Sequence, residues 1–232
     1  MNKMKLTLLG LFSMIYGVQA QTIEFEGKEF ELSNVKASVE KLNGEEVLKV
    51  ERDLEALSFD EGQLEATVDE PTYVKLIELD MENGSVEVKL LSKIQNPSPF
   101  QAAQGFIGLA FRISEDNSRF ESIYLRPRVG RSENQLARNH TVQYFAYPDY
   151  KFQKLRSPAF QGRYETYADV GLEEWITFRI EFRDQKAYLY LNDQESAAFV
   201  VADLLGDSTS GSIGLWVDIG TIGYFKDLII NP

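Results

Sequence analysis

The chain has no cysteine, one histidine (His140) and two tryptophans in 232 residues. Without cysteine there is no disulfide framework and no lipid attachment through a thiol. One histidine and no thiol cannot build a multi-histidine or cysteine zinc centre. Basic residues are also short: 24 Lys and Arg stand against 36 Asp and Glu, a formal net charge of −12. Such an acidic surface disfavours nucleic acid and anionic membrane as partners. No apolar run reaches the about 20 residues of a membrane span. There is no G-x-S-x-G elbow for a serine hydrolase and no dense Asp/Asn/Gly loop of the EF-hand kind. Internal repeats and low-complexity tracts are missing as well.

The longest apolar stretch, Leu6 to Ile15, belongs to a leader. Lys3 and Lys5 precede it, and Val18, Gln19 and Ala20 close it before Gln21. A basic start, an apolar middle and a small-residue end make a secretory signal. Cleavage is expected near Ala20–Gln21, with a secreted, periplasmic or cell-envelope location. The two lysines leave with the leader, so the mature chain is more acidic by two charges. Residues 21–232 then read as one domain, because all-β sandwiches routinely run to about 200–250 residues. A chain of that size buries a substantial core without staples.

Period-2 alternation dominates the remainder. Strand-like runs fall at Thr22–Glu26, Glu46–Glu51, Tyr73–Leu79, Ser85–Leu91, Phe106–Ile113 and Phe120–Leu125. Others follow at Thr141–Tyr147, Trp175–Phe182, Ala187–Leu191, Ser212–Val217 and Tyr224–Ile230. Asn83-Gly84, Asp116-Asn117, Arg183-Asp184 and Asn192-Asp193 are turn signals between them. One helix-like segment stands out, Ser196–Leu205. Strands repeating without intervening helices predict an all-β sandwich or jelly roll. Two longer connections, Pro127–His140 and Pro148–Leu172, are candidate binding loops. Alternation places Ile213, Leu215 and Val217 in the core, with Gly214, Trp216 and Asp218 on the opposite, solvent-reached side. By the same rule Ile107, Leu109 and Phe111 point in, while Gly108, Ala110 and Arg112 point out. This placement holds if no bulge interrupts the strands.

Several segments resemble the concanavalin A-like lectin/glucanase superfamily. They are Phe120–Pro127 (FESIYLRP), Glu174-Trp175 before a long strand, Ala187–Asn192 (AYLYLN), Gly211–Trp216 (GSIGLW) and Tyr224–Leu228 (YFKDL). The resemblance covers about Asn83 to Asn231 and is strongest to laminin G-like and 3-keto-disaccharide-hydrolase-like jelly rolls of secreted bacterial proteins. It implies a concanavalin A-like β-sandwich of two antiparallel sheets, with carbohydrate as the ligand class.

Three groups of residues carry candidate chemistry. The first is the arginine-rich loop: Arg126, Arg128, Arg131 and Arg138, with Asn139, His140, Gln143 and Tyr144 beside it. Guanidinium forks bind carboxylates, phosphates or sugar hydroxyls directionally, although the same arginines could equally stitch the loop to an acidic surface. The second is Trp216 with Tyr124, Arg112 and Asp218, where an aromatic face and polar neighbours suit a pyranose; packing in the core is the competing role. The third is Glu78, Asp80 and Glu82, an E-x-D-x-E pattern like that of laminarinase-type glucanases. A retaining glycosidase needs carboxyls about 5–5.5 Å apart, whereas i and i+4 on an ideal strand stand about 13 Å apart. Glu121, His140, Glu78 and Asp218 are the catalytic candidates. No cofactor is expected. Calcium is left open, since Asp203, Asp207 and Asp218 offer oxygens.

Three functions follow: a carbohydrate-binding jelly roll, a glycoside hydrolase or 3-keto-glycoside-cleaving enzyme of the same fold, or an envelope protein-interaction module. The identity of the sugar and the oligomeric state are not encoded in any motif.

Overall fold

The computed structural model describes residues 21–160 and 162–232; the leader, residues 1–20, lies outside them. The strands are β1 (Thr22–Phe25), β2 (Lys28–Ser33), β3 (Val35–Leu42), β4 (Glu45–Arg52), β5 (Tyr73–Leu76), β6 (Gly84–Ile94), β7 (Ile107–Ile113) and β8 (Phe120–Leu125). They continue with β9 (Val142–Tyr147), β10 (Glu165–Thr166), β11 (Ile176–Arg183), β12 (Lys186–Leu191), β13 (Phe199–Val201), β14 (Ser212–Val217) and β15 (Thr221–Asn231). Three single-turn helices, α1 (Leu64–Thr67), α2 (Gln135–Arg138) and α3 (Phe152–Leu155), sit in the connections.

Two antiparallel sheets result, of order β1-β2-β5-β14-β7-β8-β9-β10 and β13-β12-β11-β6-β15-β4-β3. Alternation builds them as expected. In β11, Ile176, Phe178, Ile180 and Phe182 are buried while Thr177, Arg179 and Glu181 are not. Phe182 meets Phe111 of the other sheet at 4.7 Å between ring centroids. Asn117, Asp184 and Asn192 take the left-handed backbone their turns require.

The segment Ser196–Leu205 is not helical. Its centre forms β13, which pairs Phe199, Val200 and Val201 with Leu189, Tyr188 and Ala187. Phe, Val and Val favour a pleated surface, and an open edge of β12 was there to receive them.

The alternation in β7, β8 and β14 has a second consequence. Almost every residue of these strands is buried, on both faces. One face meets the second sheet. The other carries Tyr73, Phe120, Tyr124, Phe145 and Trp216 as a continuous aromatic floor, with Tyr124 at 4.8 Å and Phe145 at 5.5 Å from Trp216. Trp216 thus lies on the side that alternation assigns to it, but that side is covered, not open to solvent. Trp216 is fully buried and its Nε1 donates to the Glu70 carbonyl at 2.9 Å. Gly108 and Gly214 beside it leave no room for a ligand. A Cβ on Gly108 would come within 2.2 Å of the Ile123 carbonyl oxygen and 2.6 Å of the Tyr124 Cα.

Candidate functional site

At the Tyr124 end of the aromatic floor the covering segments part to leave a cavity of about 280 Å³. Its walls are largely apolar: Leu64 of α1, Val68, Phe100, Phe106, Tyr124 and Phe152 of α3. Into it point Arg126, Asp69, His140, Arg156 and Asp218. A small, mostly apolar cavity with a few convergent polar groups has the composition of a small-molecule site, and its volume falls just below the usual about 300–1,000 Å³.

Arg126 follows β8 directly and is buried. Its guanidinium stacks on Tyr124, 4.8 Å from the ring centroid, and lies 5.8 Å from that of Phe152. Nη1 donates to the His140 carbonyl at 2.8 Å and to Gln143 Oε1 at 3.4 Å, and Nη2 donates to the Tyr124 hydroxyl. Burial pulls its pKa below the ordinary arginine value, with Asp69 and Glu165 acting against that at a distance. All of its protein partners are neutral.

Asp69 belongs to no motif of the sequence. Its φ of 55° is left-handed, a region that Asp enters more readily than most residues. Its side chain is buried, and Oδ2 accepts from the Phe152 N–H at 2.8 Å. Burial first, and the neighbouring Asp218 next among the raising influences, push its pKa to about 6; the Phe152 hydrogen bond, Arg126 and Lys151 pull the other way. Asp218 is tied down: Oδ1 pairs with Arg52 Nη1 at 2.7 Å and accepts the Ile219 N–H at 2.7 Å, and Oδ2 accepts the Asp69 N–H at 2.9 Å. Across the cavity, Glu165 Oε2 receives both His140 Nδ1 at 2.6 Å and Arg156 Nε at 3.0 Å. That contact fixes the imidazole with its other nitrogen free of the glutamate.

The remaining candidates lie elsewhere. Arg112 does not accompany Trp216. The register of β7 against β14 shifts between Ser212 and Gly214, and Arg112 takes φ 51° at that bulge. The guanidinium turns to Glu121 at 3.4 Å and to Asp184 and Gln185 in the β11–β12 turn. Glu121 is also internal, accepting from the Tyr144 hydroxyl and from Gly206 N–H at 3.2 Å; burial raises its pKa against those bonds. Tyr144 in turn accepts the Leu205 N–H at 2.7 Å. These three form a structural lock.

Of the arginine-rich group only Arg126 and His140 line the cavity, beside the loop's apolar Val129 and Ala137. Arg128 holds the Ala103 carbonyl at 3.0 Å, Arg138 stacks on Tyr167 at 4.6 Å, and Asn139 accepts from Gln135 at 2.8 Å. Arg131 is exposed and bridges Asp169 at 2.7 Å and Glu174 at 2.9 Å. Exposed pairs contribute little. Arg131→Ala is expected to move Tm by no more than about 3 °C in thermal denaturation. A larger drop would make the bridge a structural support of the loop.

Glu78, Asp80 and Glu82 are exposed and lie outside β5 and β6, in the turn between them. Glu78 has φ 60°, so the three do not alternate along one strand. Asp207 is paired to Arg119 at 2.5 Å, and Asp218 to Arg52. Among the described residues no three of His, Cys, Asp and Glu are grouped as a metal would require, and no helix is long and apolar enough to cross a membrane.

No family model matches the chain, and no curated protein does. Among solved structures it is similar to carbohydrate binding module CBM66 from Bacillus subtilis, with a TM-score of 0.53 and 10% identity over 87% of this chain and 97% of that one. A beta-glucanase of Bacillus licheniformis aligns at a TM-score of 0.44 and 9% identity, over 94% of each chain. At these identities the likeness concerns fold, and function has to be argued from the site. The two antiparallel sheets and the likeness to the carbohydrate binding module together give the chain the concanavalin A-like jelly-roll fold.

Proposed function

We propose that the protein is exported and binds carbohydrate non-covalently in the Arg126 cavity. The cavity itself carries the reading: aromatic walls from Tyr124, Phe106 and Phe152 surround a buried guanidinium and a buried carboxylate, Arg126 and Asp69. A sugar ring offers an apolar face to such walls and hydroxyls to such groups, accepting from Arg126 and donating to Asp69. The fold shared with a carbohydrate binding module supports the ligand class, and the leader-like residues 1–20 support export to where polysaccharides are met. The size of the cavity suits one ring, so a chain end or short saccharide is the expected form.

Binding is favoured over glycoside cleavage by the state of the carboxylates. Asp69, with a pKa near 6, has the property of a general acid, but hydrolysis needs a second carboxyl to act as nucleophile or base. Asp218, the nearby carboxylate, is committed to Arg52 and two backbone N–H groups.

A glycan array together with polysaccharide pull-down tests this. The wild-type protein is expected to retain at least one saccharide, and Arg126→Met to weaken that binding about tenfold or more, the loss of a charge-assisted hydrogen bond. Arg131→Ala is expected to bind as wild type. Failure of the wild type to retain any sugar, neutral or acidic, would end the proposal.

A further inference from the structure

The described residues include five buried basic side chains: Arg52, Lys75, Arg112, Arg126 and Lys226. Four of them reach a carboxylate: Asp218 at 2.7 Å, Glu31 at 3.3 Å, Glu121 at 3.4 Å and Glu45 respectively for Arg52, Lys75, Arg112 and Lys226. Among the described residues Arg126 has no such partner within 4.0 Å; its hydrogen bonds go to His140, Gln143 and Tyr124. A buried charge without a counterion is costly, and natural structures pair it. This chain is rich in carboxylates, so a missing partner at this position points to something that arrives from outside.

The hydrogen bonds sharpen the point. A guanidinium has five N–H donors. Two on Nη1 and one on Nη2 are occupied by His140, Gln143 and Tyr124. The Nε–H and the second Nη2–H have no protein acceptor among the described residues. Two donors on neighbouring nitrogens match the two oxygens of a carboxylate. The rings of Tyr124 and Phe152 hold the guanidinium in place, so little ordering is required on binding. Asp69 faces the same cavity and is also without an ion pair. It is close enough to feel the charge of Arg126 yet lies beyond salt-bridge distance. A ligand spanning the two must present an anionic oxygen pair to one and a hydroxyl donor to the other.

We infer that the cavity takes a sugar acid, its carboxylate seated on Arg126 and a ring hydroxyl donating to Asp69. The inference rests on the carbohydrate reading above and narrows it to uronic-acid-bearing saccharides, with the acid on the residue that enters the pocket. A neutral sugar leaves the Arg126 charge uncompensated, and a simple carboxylic acid leaves Asp69 without a donor.

Calorimetric titration of the wild-type protein tests it with short oligosaccharides ending in glucuronic or galacturonic acid, the same compounds as methyl esters, their glucose- and galactose-terminated counterparts, and those neutral counterparts carrying a 6-sulfate. The acid of at least one series is expected to bind about tenfold or more tighter than both its ester and its neutral counterpart. Arg126→Lys, which keeps the charge but not the fork, is expected to lose most of that ratio. The ester comparison needs no variant, so a poorly folded mutant does not blur the outcome. Equal affinity for acid, ester and neutral sugar would overturn the acid assignment while leaving carbohydrate binding intact. Equal preference for a sulfated sugar would overturn the carboxylate in favour of any anion. No binding in any arm would overturn the acid assignment, while the carbohydrate reading stands or falls with the glycan array.

Discussion

Asp218→Ala is expected to lower the unfolding free energy by about 3–5 kcal/mol at pH 7, measured by urea denaturation. Asp218 neutralises Arg52, and both side chains are buried. Arg52 also donates to the carbonyls of Ser58 at 2.9 Å and Thr67 at 2.6 Å. One ion pair therefore fastens the irregular segment between β4 and β5 to the end of β14. Truncating Asp218 leaves a buried guanidinium without a counterion, and removes the acceptor of the Asp69 N–H. The double variant Arg52→Leu with Asp218→Leu is expected to cost less than the sum of the single losses, because the stranded charge is gone. A single-variant loss below about 1 kcal/mol would show that water reaches Arg52 and that the pair is not what holds this wall of the cavity.

Asp69→Asn is expected to stabilise the protein by as much as about 3 kcal/mol at pH 8 and by nothing at pH 4. The folded chain holds the Asp69 proton up to about pH 6, against an ordinary value of 3.8. Between those values the folded state binds more protons than the unfolded one, so stability falls as pH rises. The contribution is complete below about pH 4 and lost above about pH 6. Asparagine removes the charge but keeps the acceptor for Phe152, and it tolerates the left-handed backbone. Unfolding curves at the two pH values decide the matter; an unchanged or lower stability at pH 8 would mean that Asp69 is solvated. A residue that costs stability at neutral pH is what a binding site retains for its ligand.

The sandwich could be read in advance because half-buried strands write their burial into every second residue. β8 and β14 begin and end where Phe120–Leu125 and Ser212–Val217 predict. β2 and β3 escaped notice for the same reason. Their charged residues leave too few apolar positions: in Val35–Leu42 only Val35 is buried, so no alternation is visible. β13 escaped because an Ala-rich run looks helical until a partner edge is known. Trp216 shows a different limit. Alternation fixes the face on which a side chain lies but not what covers that face, here the Glu70 carbonyl and the segments around it.

The site follows the same division. Tyr124 lies in a legible strand, Arg126 directly follows it, and His140 stands two residues before the next one, so the arginine-rich composition marks this stretch. Asp69 lies in an irregular stretch, 149 residues from Asp218 along the chain. Its one local signal is Val68-Asp69-Glu70-Pro71, an acidic pair before a proline, which ordinary loops share. Burial, a left-handed backbone and a second carboxylate make it distinctive, and each is a tertiary property.

The most direct test of the account is a crystal structure of the protein with the saccharide that the array selects. One sugar ring is expected seated against Tyr124, Phe106 and Phe152, with an oxygen of the ligand on the Nε or Nη2 of Arg126. A ring bound instead against the exposed turn of Glu78 and Asp80, or on the Arg131 loop, with the Arg126 cavity left as it is, would contradict it.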